Sequence, residues 1–139
     1  MHSNPEDEVI KNLLKEARTI AVVGLSPKPH RDSFKVAAYM QASGYRIIPV
    51  HPNAREVLGE KVYRSLAEIP EKVDIVNVFR RSDQVVPVVE DAVGLKPKAV
   101  WLQVGITSEE GAAIAKEHGI DMIMDRCLML EHKRLCTNC

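Results

Sequence analysis

Neither sign of charge dominates this sequence: lysine plus arginine and aspartate plus glutamate stand at 19 each. A chain without a global field does not draw nucleic acid or an anionic membrane to itself, so any anion site has to be built locally. No apolar run approaches the length of a membrane span. The opening Met1-His2-Ser3-Asn4-Pro5-Glu6-Asp7 is too acidic and polar for a signal peptide. Cysteine is sparse: the 3 cysteines all lie after residue 126, which favours reduced thiols over a disulfide framework. A cytoplasmic location is therefore expected. Repeats, linkers and low-complexity segments are also missing, so residues 1–139 read as one domain. A chain of this size buries roughly 70% of its unfolded surface.

The informative stretch runs from Thr19 to Phe34. Thr19-Ile20-Ala21-Val22-Val23 suits a strand buried on both faces. It stops at Gly24, a loop with two prolines, Lys28 and Arg31 follows, and Asp32 or Ser33 can cap a helix that ends near Gly44. Strand, glycine turn and helix N-terminus together favour a phosphate, because free backbone N–H groups and the helix dipole face it.

The rest of the chain alternates in the same way. A helix is expected from Asn4 or Pro5 to about Ala17, and strands over Arg46–Val50, Val73–Phe79, Ala99–Val104 and Ile120–Met124. Leu58-Gly59-Glu60-Lys61 reads as a hairpin tip and Ser65–Glu68 as one helical turn. Ser82 or Asp83 caps a helix reaching Gly94, with Pro87 confined to its first turn. Thr107-Ser108-Glu109-Glu110 has the pattern of a capping box, and Cys127–Leu135 forms a last short helix. The pattern predicts a single α/β domain of Rossmann-like type, with a five-stranded parallel sheet and helices on both faces.

Ligands of such sheets bind beyond the carboxyl ends of the strands. Those ends read Gly24-Leu25-Ser26, His51-Pro52-Asn53, Phe79-Arg80-Arg81, Gln103 with Gly105, and Asp125-Arg126-Cys127. A plain dinucleotide meets two objections. Gly24 stands alone where the fingerprint wants G-x-G-x-x-G, and no acid follows the second strand to hold a ribose diol. Lys28, Arg31, His51 and Arg55 occupy the region instead, which suits a ribose bearing a phosphate, as in CoA or NADP. The competing reading makes them solvated loop charges.

Taken together, Val22-Val23-Gly24-Leu25-Ser26-Pro27, Ile48-Pro49-Val50 with Pro52, Leu58-Gly59, Val73-Asp74 with Val78-Phe79-Arg80, Val100-Trp101-Leu102-Gln103 with Gly105, and Arg126-Cys127 with Glu131-His132 resemble the small stand-alone CoA-binding proteins. Their fold is like the N-terminal domain of the succinyl-CoA synthetase α subunit. The resemblance covers about residues 15–135. It implies that the Gly24-Leu25-Ser26 backbone and the Ser26 hydroxyl hold a diphosphate, and that Pro52 and Asn53 border the adenosine. It also implies that Val78, Phe79 and Arg80 line the path of nucleotide or pantetheine, with Gln103 and Gly105 near it. His51 departs from the family, which often has Asn before that proline.

The implied cofactor is coenzyme A or an acyl-CoA, with no nucleic-acid or membrane partner and an unassigned protein partner. Catalysis is not expected. The synthetases' phosphohistidine relay and ATP-binding domain have no room in 139 residues, and no Ser-His-Asp or paired-carboxylate spacing stands out. A carrier, sensor or regulatory role follows; the alternatives are an NADP-dependent reductase and an interaction protein with a vestigial nucleotide site. Arg126 and Cys127 fall where pantetheine would emerge. A helix start and a neighbouring arginine both favour a thiolate, so Cys127 is expected to form a mixed disulfide with CoA, against the alternative of a buried packing thiol. A zinc site from Cys127, His132, Cys136 and Cys139 is disfavoured, because a second C-x2-C pair is missing.

Overall fold

The computed structural model describes residues 1–137 and 139. The chain runs α1 (Asp7–Glu16), β1 (Thr19–Val23), α2 (Asp32–Ala42) and β2 (Arg46–Val50). A hairpin of β3 (Glu56–Val57) and β4 (Glu60–Lys61) follows, then β5 (Ile75–Val78), α3 (Val85–Val93), β6 (Ala99–Leu102), α4 (Glu109–Glu117), β7 (Asp121–Ile123) and α5 (Leu128–Leu135). Five strands form one parallel sheet in the order β2-β1-β5-β6-β7. It is the expected Rossmann-like α/β sheet with helices on both faces.

Strand periodicity sorts the core into two layers. Ile20, Val22, Ile47, Ile75, Trp101 and Ile123 pack with α1, α2 and α5. Their neighbours Ala21, Val23, Ile48, Val76, Val100 and Met122 pack with α3 and α4. The division of helices follows from chirality. The chain steps outward from β1 to β2, then crosses back over β1 and continues outward through β5, β6 and β7. Right-handed crossovers in opposite directions place their connections on opposite faces. The reversal lies between β1 and β5, where the loops leaving the two strands diverge and open a crevice at the carboxyl edge.

Several expected boundaries shift for identifiable reasons. The first helix begins at Asp7, not at Asn4 or Pro5, because Asn4 is engaged elsewhere. Its side-chain amide donates to Met124 O and accepts from Met124 N, both at 2.9 Å. It thereby closes the ladder beyond the end of the edge strand β7. The capping box is half formed: Ser108 is the N-cap and its Oγ accepts from Gly111 N at 2.9 Å, while the third helical residue, Gly111, has no side chain to return the bond. Thr107 lies outside the cap, its amide donating to Ser82 Oγ. Ser82 therefore ties two loops together instead of capping α3, which starts after a 3-10 turn with Pro87 in its first turn. Leu58 and Gly59 both take positive φ, 57° and 75°, the conformation of a two-residue hairpin turn.

At the amino edge, Asp74 Oδ2 accepts from Arg18 N at 2.8 Å and from Thr19 N at 3.0 Å. This buried carboxylate fixes the start of β1, at the end of the strand away from the crevice.

Candidate functional site

The crevice is organised by Gly24. Its φ is +85°, and a Cβ there would stand 2.6 Å from the carbonyl oxygen of Phe79. Only glycine lets the ends of β1 and β5 approach so closely. The Gly24 amide donates to Val50 O at 2.9 Å, continuing the ladder one residue beyond the strand. The Ser26 amide donates to Ser33 Oγ at 3.0 Å, and Ser26 Oγ accepts from Lys28 N at 3.1 Å. These bonds occupy two of the backbone amides of Gly24-Leu25-Ser26 within the fold. The ladder takes the first and the Ser33 hydroxyl the third.

What the loop leaves open is the end of α2. Its N-cap is Arg31, with no side-chain capping bond, and the first intrahelical bond is Lys35 N to Arg31 O. The expected caps are absent, since Arg31 precedes Asp32 at the boundary and Ser33 folds back onto Ser26. The first-turn amides of Asp32, Ser33 and Phe34 thus have no intrahelical acceptor. An uncapped helix start beside a glycine turn is an arrangement suited to an anion.

A cleft of about 650 Å³ opens in front of this helix end. The anticipated residues Phe79, Arg80, Gln103, Gly105 and Cys127 line it together. Arg81, read from sequence at the same strand end, lines it too, and Asp32, Lys35, Val104, Met129 and Leu130 line it without having been named as site residues from sequence. Asp32 and Lys35 had a usable signal, being the first turn of the helix that follows the glycine loop. Gln103 is buried and holds the cleft floor: its Oε1 accepts from Leu128 N at 2.9 Å and from Asn77 Nδ2 at 3.3 Å. Asn77 Nδ2 also donates to Trp101 O at 3.2 Å. Asn77 is wholly buried in the middle of β5, and its Oδ1 has no partner among the described residues.

At the end of β2, His51 Nδ1 accepts from Asn53 N and Ala54 N, both at 3.0 Å. The ring therefore does what an asparagine side chain does in an Asx turn. With Nδ1 accepting, Nε2 carries the hydrogen and remains the outward donor. Pro52 and Asn53 are exposed on this turn. Lys28, Arg31 and Arg55 are also exposed, and none has a carboxylate within salt-bridge distance among the described residues. Arg46 differs: Glu71 and Glu60 bind it, raising its pKa and lowering that of Glu71.

The family model described as CoA binding domain matches residues 18–133. The chain belongs to the CoA-binding domain family. It is 45% identical over 129 residues to the uncharacterised protein YneT of Bacillus subtilis, covering 93% of this chain and 96% of that one. The structure of cell-free ID.343 from Thermus thermophilus superposes with a TM-score of 0.90 at 40% identity, covering 94% of this chain and 99% of that one. Acetate–CoA ligase (ADP-forming) II of Archaeoglobus fulgidus is 29% identical over 115 residues. That match takes in 74% of this chain but only 17% of the ligase.

Within this CoA-binding domain Gly24, Ser26, Lys28, Arg31, His51, Pro52 and Asn53 are not among the residues that line the cleft, and neither are Leu25, Val78 and Arg126. Val78 is fully buried and faces the α3 and α4 side, because strand alternation turns it opposite to Phe79. Leu25 is likewise wholly buried, so only its backbone remains available. Arg126 is outside the cleft lining: its carbonyl accepts from Trp101 Nε1 at 2.9 Å, and its guanidinium donates to Asp125 O at 3.0 Å. The Gly105 amide donates to Asp125 Oδ1 at 2.7 Å. Gly105 therefore shapes the rim with its amide already occupied.

The cysteines of the CoA-binding domain divide. Cys127 is a free thiol, half-buried at the N-cap of α5. Cys136 and Cys139 form a disulfide, which corrects the expectation of three reduced thiols; an odd count still permits one local C-x2-C pair. His132 belongs to the core beneath. Its Nδ1 lies 2.8 Å from the Tyr39 hydroxyl, and burial lowers its pKa. Among the described residues no group of three metal-ligating side chains converges.

Proposed function

We propose that this chain binds coenzyme A at the carboxyl edge between β1 and β5. The observation that carries the reading is the uncapped start of α2 facing a glycine turn that no side chain can enter. A diphosphate fits there against the first-turn amides, the Leu25 amide and the Ser26 hydroxyl. Lys28, Arg31, Arg55 and His51 Nε2 are the donors available to the 3′-phosphate, and Pro52 and Asn53 border the adenosine. Pantetheine follows Phe79 and Arg80 along the cleft, passing Gln103 and Gly105, and its thiol reaches Cys127.

In this reading the domain carries or senses CoA without chemistry of its own. The cleft is lined by no histidine among the described residues, and its ionisable groups suit binding. A cytoplasmic setting belongs to the same proposal.

Thermal shifts with CoA, dephospho-CoA, NADP and NAD test the reading. At 100 times its dissociation constant CoA should stabilise the fold by about 2.7 kcal/mol. Dephospho-CoA should bind about 10- to 100-fold more weakly, having lost a charge-assisted contact. Equal responses to the two would leave the 3′-phosphate in solvent, and a response to NADP alone would mark a reductase. Oxidised CoA adds a second readout by mass spectrometry. A Cys127 thiolate attacking one sulfur of the CoA disulfide yields a protein–S–S–CoA adduct and releases one CoA thiolate; no adduct on Cys127 would remove that contact.

A further inference from the structure

Large apolar side chains that stand exposed are few among the described residues: Met1, Val9, Val104 and Leu130. Scattered exposed apolar residues need no explanation. Val104 at 63% exposure and Leu130 at 55% are not scattered, because both line the cleft that also holds Cys127. Val104 follows Gln103 directly, and Gln103 Oε1 accepts from the first amide of α5. Leu130 lies in the first turn of α5, three residues beyond its N-cap Cys127, and both line the cleft. Val104 and Leu130 thereby flank the thiol from two different elements. Ile106 and Met129 extend the same wall, and a methionine adapts to ligands of varied shape.

The cleft is also graded along the sheet edge. Its charged lining, Asp32, Lys35, Arg80 and Arg81, comes from α2 and the loop after β5. The exposed apolar lining comes from the loop after β6, one strand further out, and from the first turn of α5, which packs beside α2. A ligand with its diphosphate at α2 would pass from charged walls to apolar ones as it reached Cys127. A free thiol gains little from such an end; an aliphatic chain attached to it gains a great deal.

We propose that the apolar wall of Val104, Ile106, Met129 and Leu130 is a subsite for the aliphatic acyl group of an acyl-CoA thioester, so that the domain prefers acylated CoA to free CoA. This rests on the CoA reading above and specifies the ligand of the same site. Each methylene laid against the wall and taken from water tightens binding by up to about fourfold.

The test is a titration of the intact protein with CoA, acetyl-CoA, butyryl-CoA and octanoyl-CoA, followed calorimetrically. The expected result is an affinity that climbs with chain length. In the double variant Val104→Ser, Leu130→Ser the ratio of octanoyl-CoA to CoA affinity should fall towards one. Both positions are exposed, so the variant folds, and a ratio is insensitive to any shared loss. CoA binding with a flat series in the unaltered protein overturns the acyl subsite alone. A rising series that the double variant leaves as steep also overturns it. Failure of CoA and every thioester to bind overturns the CoA reading together with it.

Discussion

Replacing Gly24 by alanine is expected to destabilise the fold by about 3 kcal/mol, the sum of two separate effects. A φ of +85° is unfavourable for any residue with a Cβ, at a cost of about 1–2 kcal/mol. The new methyl would also stand 2.6 Å from Phe79 O. Because that atom is backbone, relief requires β1 and β5 to part. Overpacking of this kind adds about 1–3 kcal/mol. The midpoint of thermal unfolding should fall by roughly 10 °C. Gly59 is the matched control. Its φ is +75°, and a Cβ there would meet nothing within 4 Å, so Gly59→Ala carries the backbone term alone. Similar losses for the two variants would mean that the close approach of the strands is not what selects glycine at position 24.

Gln103→Leu should be the second large effect, about 2–4 kcal/mol, although the side chain keeps nearly the same volume. The substitution removes the acceptor of the Leu128 amide and one of the two acceptors of Asn77 Nδ2. A buried donor left without its acceptor costs about 1–3 kcal/mol. The change also releases the start of α5, on which Cys127, Met129 and Leu130 are carried. Binding at the thiol end should therefore weaken alongside stability. Chemical denaturation of the variant measures the first effect, and a loss below about 1 kcal/mol would show that Gln103 is not the tie between β5, β6 and α5.

The contrast between these residues shows what the sequence made legible. The strands were readable because Thr19–Val23, Arg46–Val50, Val73–Phe79 and Ala99–Val104 are short, largely apolar runs bounded by turn residues, and the structure trims the last two to Ile75–Val78 and Ala99–Leu102. Their carboxyl ends then named much of the cleft, since topology alone puts ligand sites there. Gln103 was correctly placed at the edge, but its main contacts are to Asn77 and Leu128, which only folding brings together. Val78 and Phe79 were grouped as neighbours, although alternation in a strand sends adjacent side chains to opposite faces. The missing cap of α2 was invisible for a related reason. Asp32 and Ser33 have capping chemistry, and only the path of the loop shows that Ser33 is used by Ser26. Asn4 looked like a helix start and instead closes the edge beside β7. Local pattern reports which groups are available, whereas long-range geometry decides which partner they meet.

The claim beneath all of this is that α2 offers its uncapped first turn to the diphosphate of CoA. A crystal structure of the protein soaked with CoA addresses it most directly. The account predicts diphosphate oxygens within hydrogen-bond distance of the Ser33 or Phe34 amide, with the adenosine beside Pro52 and the thiol beside Cys127. Coenzyme found at the amino edge of the sheet near Asp74, or with its diphosphate in solvent and α2 untouched, would contradict it.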